Sequence, residues 1–152
     1  MLGHPLHPAI VHFPIALLLS ATIADVAWMA GITADTHFAA ILMAAGLAMG
    51  LVAMGAGLVD FTRLDDDVAP HALPHMAAVG LAWLGYGIAL YLRRDAFEGA
   101  AVELGTLSIA FSIVSALVLA LGGWLGGRLV YSFGAGVSKA ALTRSAGSQS
   151  RA

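Results

Sequence analysis

Residues 37–60 read HFAAILMAAGLAMGLVAMGAGLVD, and no charged side chain interrupts this run before Asp60 at its end. The hydrocarbon core of a bilayer is about 30 Å thick, so a helix needs roughly 20 mostly apolar residues to cross it. The run lacks the alternation of apolar and polar residues that a half-buried strand shows. It therefore predicts a membrane-spanning α-helix.

Three further runs of similar length and composition flank this one. The four predicted spans cover about residues 9–30, 37–60, 74–92 and 103–126, joined by short connections. Short connections make sequence neighbours antiparallel. We therefore expect an all-α, four-helix antiparallel transmembrane bundle over residues 1–137, with both termini on the same side. Residues 138–152, rich in Ser and Ala, are predicted to form a polar flexible tail.

The composition agrees with this class and argues against several others. Of 152 residues, 60% are hydrophobic and only 11% are charged, against about 25% charged residues in soluble domains. The net charge of −2 offers no basic surface for nucleic acid. The absence of cysteine excludes thiolate metal ligands and covalent haem attachment through a Cys-x-x-Cys-His sequence. Any metal must be held by His, carboxylate or Met.

The basic residues bear on orientation. In the predicted bundle Arg63, Arg128 and the tail cations share the side of the termini, whereas Arg93 and Arg94 lie on the other side. Cytoplasmic loops carry an excess of Lys and Arg, so we expect cytoplasmic termini. The opening residues do not resemble a removable signal peptide, and we expect the first span to be retained.

Antiparallel order brings five of the six histidines to one end of the predicted bundle. That end is expected to hold His4, His7, His12, Asp60, His71, His75 and Arg128. His12 and His75 each lie a few residues inside a span, at similar depth, on helices that run in the same direction. They are therefore expected to face each other diagonally across the bundle.

Two imidazoles that project into a bundle core are what the axial ligation of b-type haem requires. The leading hypothesis is therefore a haem b electron-transfer protein or oxidoreductase subunit with His12 and His75 as axial ligands. The groups expected around the haem propionates or a quinone site are His7, His71, Asp60 and Arg128.

Two other functions fit the same residues. The first is a membrane protein that binds or transports a divalent metal, with Cu, Zn or Fe held by His4, His7, His12, His71 and Asp60. The second is a non-catalytic accessory subunit of a larger membrane complex. No catalytic motif is recognisable, so catalytic residues stay unassigned and enzymatic activity stays open.

Glycines recur at helical spacing in the second and fourth spans. Gly-x-x-x-Gly pairs start at Gly46, Gly122 and Gly123, and such pairs predict tight helix packing or a dimer face. The glycines expected to clear volume beside a flat macrocycle are Gly55, Gly57, Gly80, Gly122 and Gly123. No internal repeat is evident.

Asp25 lies inside the first span, near the end opposite the histidines. A carboxylate there is costly unless it is paired or hydrated, so we expect a salt bridge to Arg93 or Arg94. A proton path from Asp25 to the histidines is the functional alternative.

The opening residues 3–16, GHPLHPAIVHFPIA, resemble the signature of a bacterial family of small integral membrane proteins of unknown function. The resemblance continues in Asp25, in GLVDF at residues 57–61, in His75 and in GGRLVY at residues 126–131. It implies a four-helix protein of the bacterial cytoplasmic membrane. The neighbourhood of cytochrome-like modules in such families implies a redox role, with a quinone or a cytochrome as partner.

Overall fold

The structure is a computed structural model that describes residues 7–33, 35–98, 103–133 and 135. In this part of the chain every regular element is helical, and four helices are long and apolar enough to cross a membrane. We number them α1 (His7–Met29), α2 (His37–Phe61), α3 (Ala69–Leu92) and α4 (Thr106–Phe133), and a 3₁₀ turn (Arg94–Glu98) follows α3. The predicted all-α fold with four spans is confirmed. The tail expected at residues 138–152 lies outside the described residues.

Prolines change the beginning of α1. A turn at Val11 separates His7–Ile10 from His12–Met29. The break occurs there because Pro14 has no N–H to donate to the carbonyl of Ile10, four residues earlier. His7 is the first described residue of α1.

Helices α3 and α4 are longer than expected. α3 begins at Ala69 rather than at residue 74, and it contains Pro74. Pro74 has no N–H to donate to the carbonyl of Pro70, four residues earlier, so α3 lacks this one helical hydrogen bond but continues through the proline. His71 therefore lies inside α3, not in the loop before it. α4 continues to Phe133, beyond the expected end at residue 126.

The helices pack as two antiparallel pairs, α1 with α2 and α3 with α4. Smaller contacts between α1 and α4 and between α2 and α3 close the bundle. α1 and α3 therefore lie diagonally and run in the same direction. The central apolar core consists of Leu18, Ala21, Met43, Leu47, Tyr86 and Ala89.

Two of the Gly-x-x-x-Gly pairs are used inside the chain. A β-carbon would come within 2.8 Å of the Leu18 side chain at Gly46, within 2.9 Å of Trp83 at Gly50, and within 2.8 Å of Val79 at Gly122. These glycines allow helices to approach within one molecule, whereas a β-carbon at Gly123 or at Gly127 would meet open space. The space expected for a macrocycle at Gly122 is filled by Val79.

The two helix pairs repeat each other, which the sequence analysis did not detect. Asp25 and Arg93 are 68 residues apart, and the same separation joins His7 to His75. A separation of 69 relates the buried positions of α2 to those of α4: Ala39, Met43 and Gly46 correspond to Ser108, Ser112 and Ser115. We call residues 7–61 the first half and residues 69–133 the second half. The repeat is hard to see in the sequence because equivalent positions carry different residue types.

Candidate functional site

His7 and His75 lie side by side at one end of the bundle. Their ring centroids are 6.1 Å apart, and the ring planes meet at 80°. Both residues are half-buried. His7 lies in the first described turn of α1 and His75 is the seventh residue of α3, so each half contributes one ring. We call these two residues the histidine pair and this end of the bundle the histidine end.

Each ring of the histidine pair bonds to the backbone of the next helix. Nδ1 of His7 lies 2.7 Å from the carbonyl oxygen of Ala53, and Nδ1 of His75 lies 2.8 Å from that of Gly122. The two bonds span 46 and 47 residues, so they are equivalent in the two halves.

A glycine makes room for each ring. A β-carbon at Gly57 would lie 3.1 Å from Nδ1 of His7, and one at Gly126 would lie 2.9 Å from Cε1 of His75. Gly57 follows Ala53 by one helical turn, and Gly126 follows Gly122 in the same way. Each imidazole therefore fills a notch that glycine leaves in the neighbouring helix. The space expected beside a macrocycle at Gly57 is occupied by the ring of His7.

The carbonyl bonds decide which nitrogen of each ring carries the proton. A carbonyl oxygen can only accept, so Nδ1 of His7 and of His75 must be the donor. In the neutral ring Nε2 then carries the lone pair. Histidines that bind metals are commonly oriented by the same Nδ1–H bond to a backbone carbonyl. The arrangement thus prepares two Nε2 atoms as ligands or as hydrogen-bond acceptors.

Asp60 fixes the start of α1. Its Oδ2 accepts a hydrogen bond from the backbone N–H of His7 at 3.1 Å. The first N–H groups of a helix have no partner within the helix, and a carboxylate is favourable at this positive end. Asp60 therefore bonds to the backbone of His7 and holds that residue against the last turns of α2.

His12 does not face His75, and that expectation is wrong. The buried face of α1 is formed by Pro14, Leu18, Ala21, Thr22 and Asp25. His7 precedes Pro14 by about two turns and shares this face, whereas His12 precedes it by about half a turn and lies on the other side. His12 is accordingly exposed, and His7 is the ring beside His75.

The other expected site residues are not brought to the histidine pair. His71 is exposed and stacks on Phe133, with ring centroids 4.0 Å apart and planes within 14°. Arg128 is exposed, and its guanidinium lies 5.1 Å from the centroid of the Trp124 ring. His4 lies outside the described residues. Among those the structure does describe, no group of three or more His, Asp or Glu side chains is arranged to hold a metal ion.

The opposite end of the bundle holds a buried ion pair. Arg93 forms two hydrogen bonds to Asp25, one of them from Nη2 to Oδ2 at 2.9 Å, and the two residues are 2% and 0% exposed. Nε of Arg93 donates to Oγ of Ser108 at 2.9 Å, and Ser108 donates to the carbonyl of Ala89. The expected salt bridge of Asp25 is confirmed, with Arg93 as its partner. We call this region the ion-pair end.

Three buried hydroxyl groups lie between the two ends. Oγ1 of Thr22 is 2.8 Å from the hydroxyl of Tyr86 and 3.0 Å from Oγ of Ser112. Within the part of the chain that the structure describes, no hydrogen bond joins these groups to the histidine pair, so a direct proton path from Asp25 is not seen. Sequence reasoning missed this cluster, although Ser108, Ser112 and Ser115 recur at helical spacing.

Comparison with known proteins adds the family but no activity. Residues 3–139 match the family model described as "Predicted membrane protein (DUF2231)". No curated protein and no solved structure matches the chain. A function must therefore be argued from the side chains themselves.

Proposed function

The chain belongs to this family of predicted membrane proteins, and we propose that its histidine pair binds the iron of one b-type haem in an electron-transfer protein or oxidoreductase subunit. One observation carries the proposal. His7 and His75 are adjacent, and each donates its Nδ1 proton to a backbone carbonyl, which leaves both Nε2 atoms as ligand atoms. His7 replaces His12 in the pair expected from the sequence.

The separation of the two rings supports a shared metal. Bonds from imidazole nitrogens to a metal ion are about 2.0 Å long, so two rings that bind one ion from opposite sides have centroids about 6 Å apart. The centroids of His7 and His75 are 6.1 Å apart. The distance between the centroids is therefore compatible with two rings that would hold one metal ion between them.

The number of ligands favours haem over a bare ion. A structural zinc ion takes four ligands, nearly all from the protein. Haem iron receives four from its own macrocycle and needs only axial ligands from the chain. Among the described residues, the histidine pair brings two imidazoles together, and no group of three or more metal-binding side chains is found. Haem would supply one-electron chemistry when bound, and the chain would hold its iron with His7 and His75.

We place the proposed haem protein in the bacterial cytoplasmic membrane. The four helices supply the contact with the lipid bilayer. The histidine pair lies near the ends of the helices and is half-buried, so a quinone or a cytochrome partner can approach it from the membrane surface. These partners belong to the proposal.

Optical spectra of matched variants test the proposal. The protein would be expressed with added haem precursor, purified in detergent, and measured oxidised and after dithionite reduction. We expect a Soret band that sharpens on reduction in the wild type. His7→Ala and His75→Ala should each lose or broaden it to the same extent, because the two residues are equivalent in the repeat. His12→Ala and His71→Ala are the matched controls and should keep the band.

Two results would overturn haem binding by this pair. One is a colourless wild type despite adequate haem supply. The other is loss of the band in His12→Ala with retention in His7→Ala. Assay of copper, zinc and non-haem iron in the same samples tests the alternative that the pair binds a metal ion without haem. A colourless protein whose metal content falls in both His7→Ala and His75→Ala would reassign the pair to a metal ion.

A further inference from the structure

Asp25 and Arg93 occupy equivalent positions in the two halves but carry opposite charges. Both lie 18 residues after a histidine of the pair, and they meet across the same diagonal between α1 and α3. The histidine pair, by contrast, has the same residue in both halves. The ion pair is therefore the place where the repeat is most clearly asymmetric.

This asymmetry decides which halves can meet. If two first halves packed together in the same way, two Asp25 carboxylates would be buried against each other, and two second halves would bury two Arg93 guanidinium groups. Like charges in contact at such low exposure repel strongly, and neither would have a counter-ion. Interfaces commonly reject wrong partners by this kind of repulsion.

We propose that Asp25 and Arg93 are a pairing code: the first half accepts as its partner a second half, and it rejects another copy of itself. The partner is defined by its chemistry, a helix pair with a buried cation at the position of Arg93. One consequence is that the histidine pair always takes one ring from each half. The proposal rests on the repeat and the ion pair, so it stands or falls independently of haem.

A second position belongs to the same code. Oγ of Ser108 accepts a hydrogen bond from Nε of Arg93. The residue equivalent to Ser108 in the first half is Ala39, which is 1% exposed. The half that carries the cation thus also receives a hydroxyl group from its own second helix, whereas the half that carries the carboxylate has a methyl group there.

Exchange of the charges within the full chain tests the code. Asp25→Arg and Arg93→Asp alone each place like charges together, and we expect the yield of monodisperse protein in detergent to fall at least about tenfold. The double exchange, combined with Ala39→Ser and Ser108→Ala, moves the whole code to the other half. It should recover a yield within about threefold of the wild type, because the two positions are equivalent. Exchange of the exposed neighbours, Arg94→Asp with Asp95→Arg, is the control and should change nothing.

Either of two results overturns the code. One is a fourfold variant that folds no better than the single charge variants, since the positions would then not be equivalent. The other is near-normal yield of Asp25→Arg or of Arg93→Asp. Haem content has no part in this readout, so failure of the pairing code and failure of the haem proposal are separate observations.

Discussion

The two ends of this bundle use equivalent helix positions but differ in how completely their polar side chains are hydrogen-bonded. At each end one residue of α1 meets the equivalent residue of α3. At the ion-pair end the buried carboxylate and guanidinium complete their hydrogen bonding within the chain. At the histidine end each ring uses one nitrogen to donate a hydrogen bond to a backbone carbonyl, and each residue remains half-buried. A buried polar group that is already satisfied indicates a structural role, whereas an oriented group with a ligand atom left over indicates a binding site.

Breaking the ion pair should give the largest loss of stability. Arg93→Ala leaves Asp25 buried without its counter-charge, which typically costs about 3–5 kcal/mol of unfolding free energy. Denaturant titration in mixed micelles measures this loss. Arg94→Ala is the matched control, because Arg94 is exposed and forms an ion pair with exposed Asp95; exposed pairs contribute about 0–1 kcal/mol. Equal effects of the two variants would show that the buried pair has no special weight.

Filling one glycine notch should have an intermediate effect and should act at the histidine end. The β-carbon of Gly126→Ala would lie 2.9 Å from Cε1 of His75, so the ring must shift and its bond to Gly122 must weaken. Overpacking of this kind costs about 1–3 kcal/mol. A β-carbon at Gly127 meets open space, so Gly127→Ala should leave stability and any bound chromophore unchanged. A Gly126→Ala protein that matches Gly127→Ala in thermal unfolding and spectrum would contradict the notch.

Removal of the central hydroxyl group should have the smallest effect. Thr22→Val keeps the shape of the side chain but deprives Tyr86 and Ser112 of their shared partner. Hydrogen bonds between membrane helices contribute about 0.6 kcal/mol on average and at most about 1.7 kcal/mol. Ser20→Ala, on the exposed face of the same helix, is the control in the same unfolding assay. A loss as large as that of Arg93→Ala would mean that the middle of the bundle, and not the ion pair, holds the halves together.

The fold class and the arginine partner of Asp25 could be predicted because they depend on properties that a sequence displays directly. Apolar runs of spanning length predict helices, and alternating helix direction places Asp25 and Arg93 at the same end. The faces of the helices were harder to predict. Apolar length alone puts the start of α1 near residue 9 and favours His12 over His7, because it does not show the turn at Val11 that Pro14 causes. The buried faces of the helices show which histidine is turned inward.

The repeat and the glycine notches are recognised from contacts in the three-dimensional structure. Met43 and Ser112 are equivalent buried positions, yet they have no chemistry in common, so a comparison by residue type does not align the halves. Gly57 and Gly126 look like ordinary packing glycines until the rings of His7 and His75 are seen beside them. The interval of 18 residues between a histidine and a charged residue occurs twice, and it is a signal in the sequence that could have revealed the repeat.

We propose above that the histidine pair binds one haem iron per chain. The most direct measurement is the haem-to-protein ratio of the wild type and of the His7→Ala/His75→Ala double variant, expressed and purified in parallel with the same haem supply. We expect a ratio near one for the wild type and near zero for the double variant. Equal ratios in the two proteins, or no haem in the wild type, would contradict it.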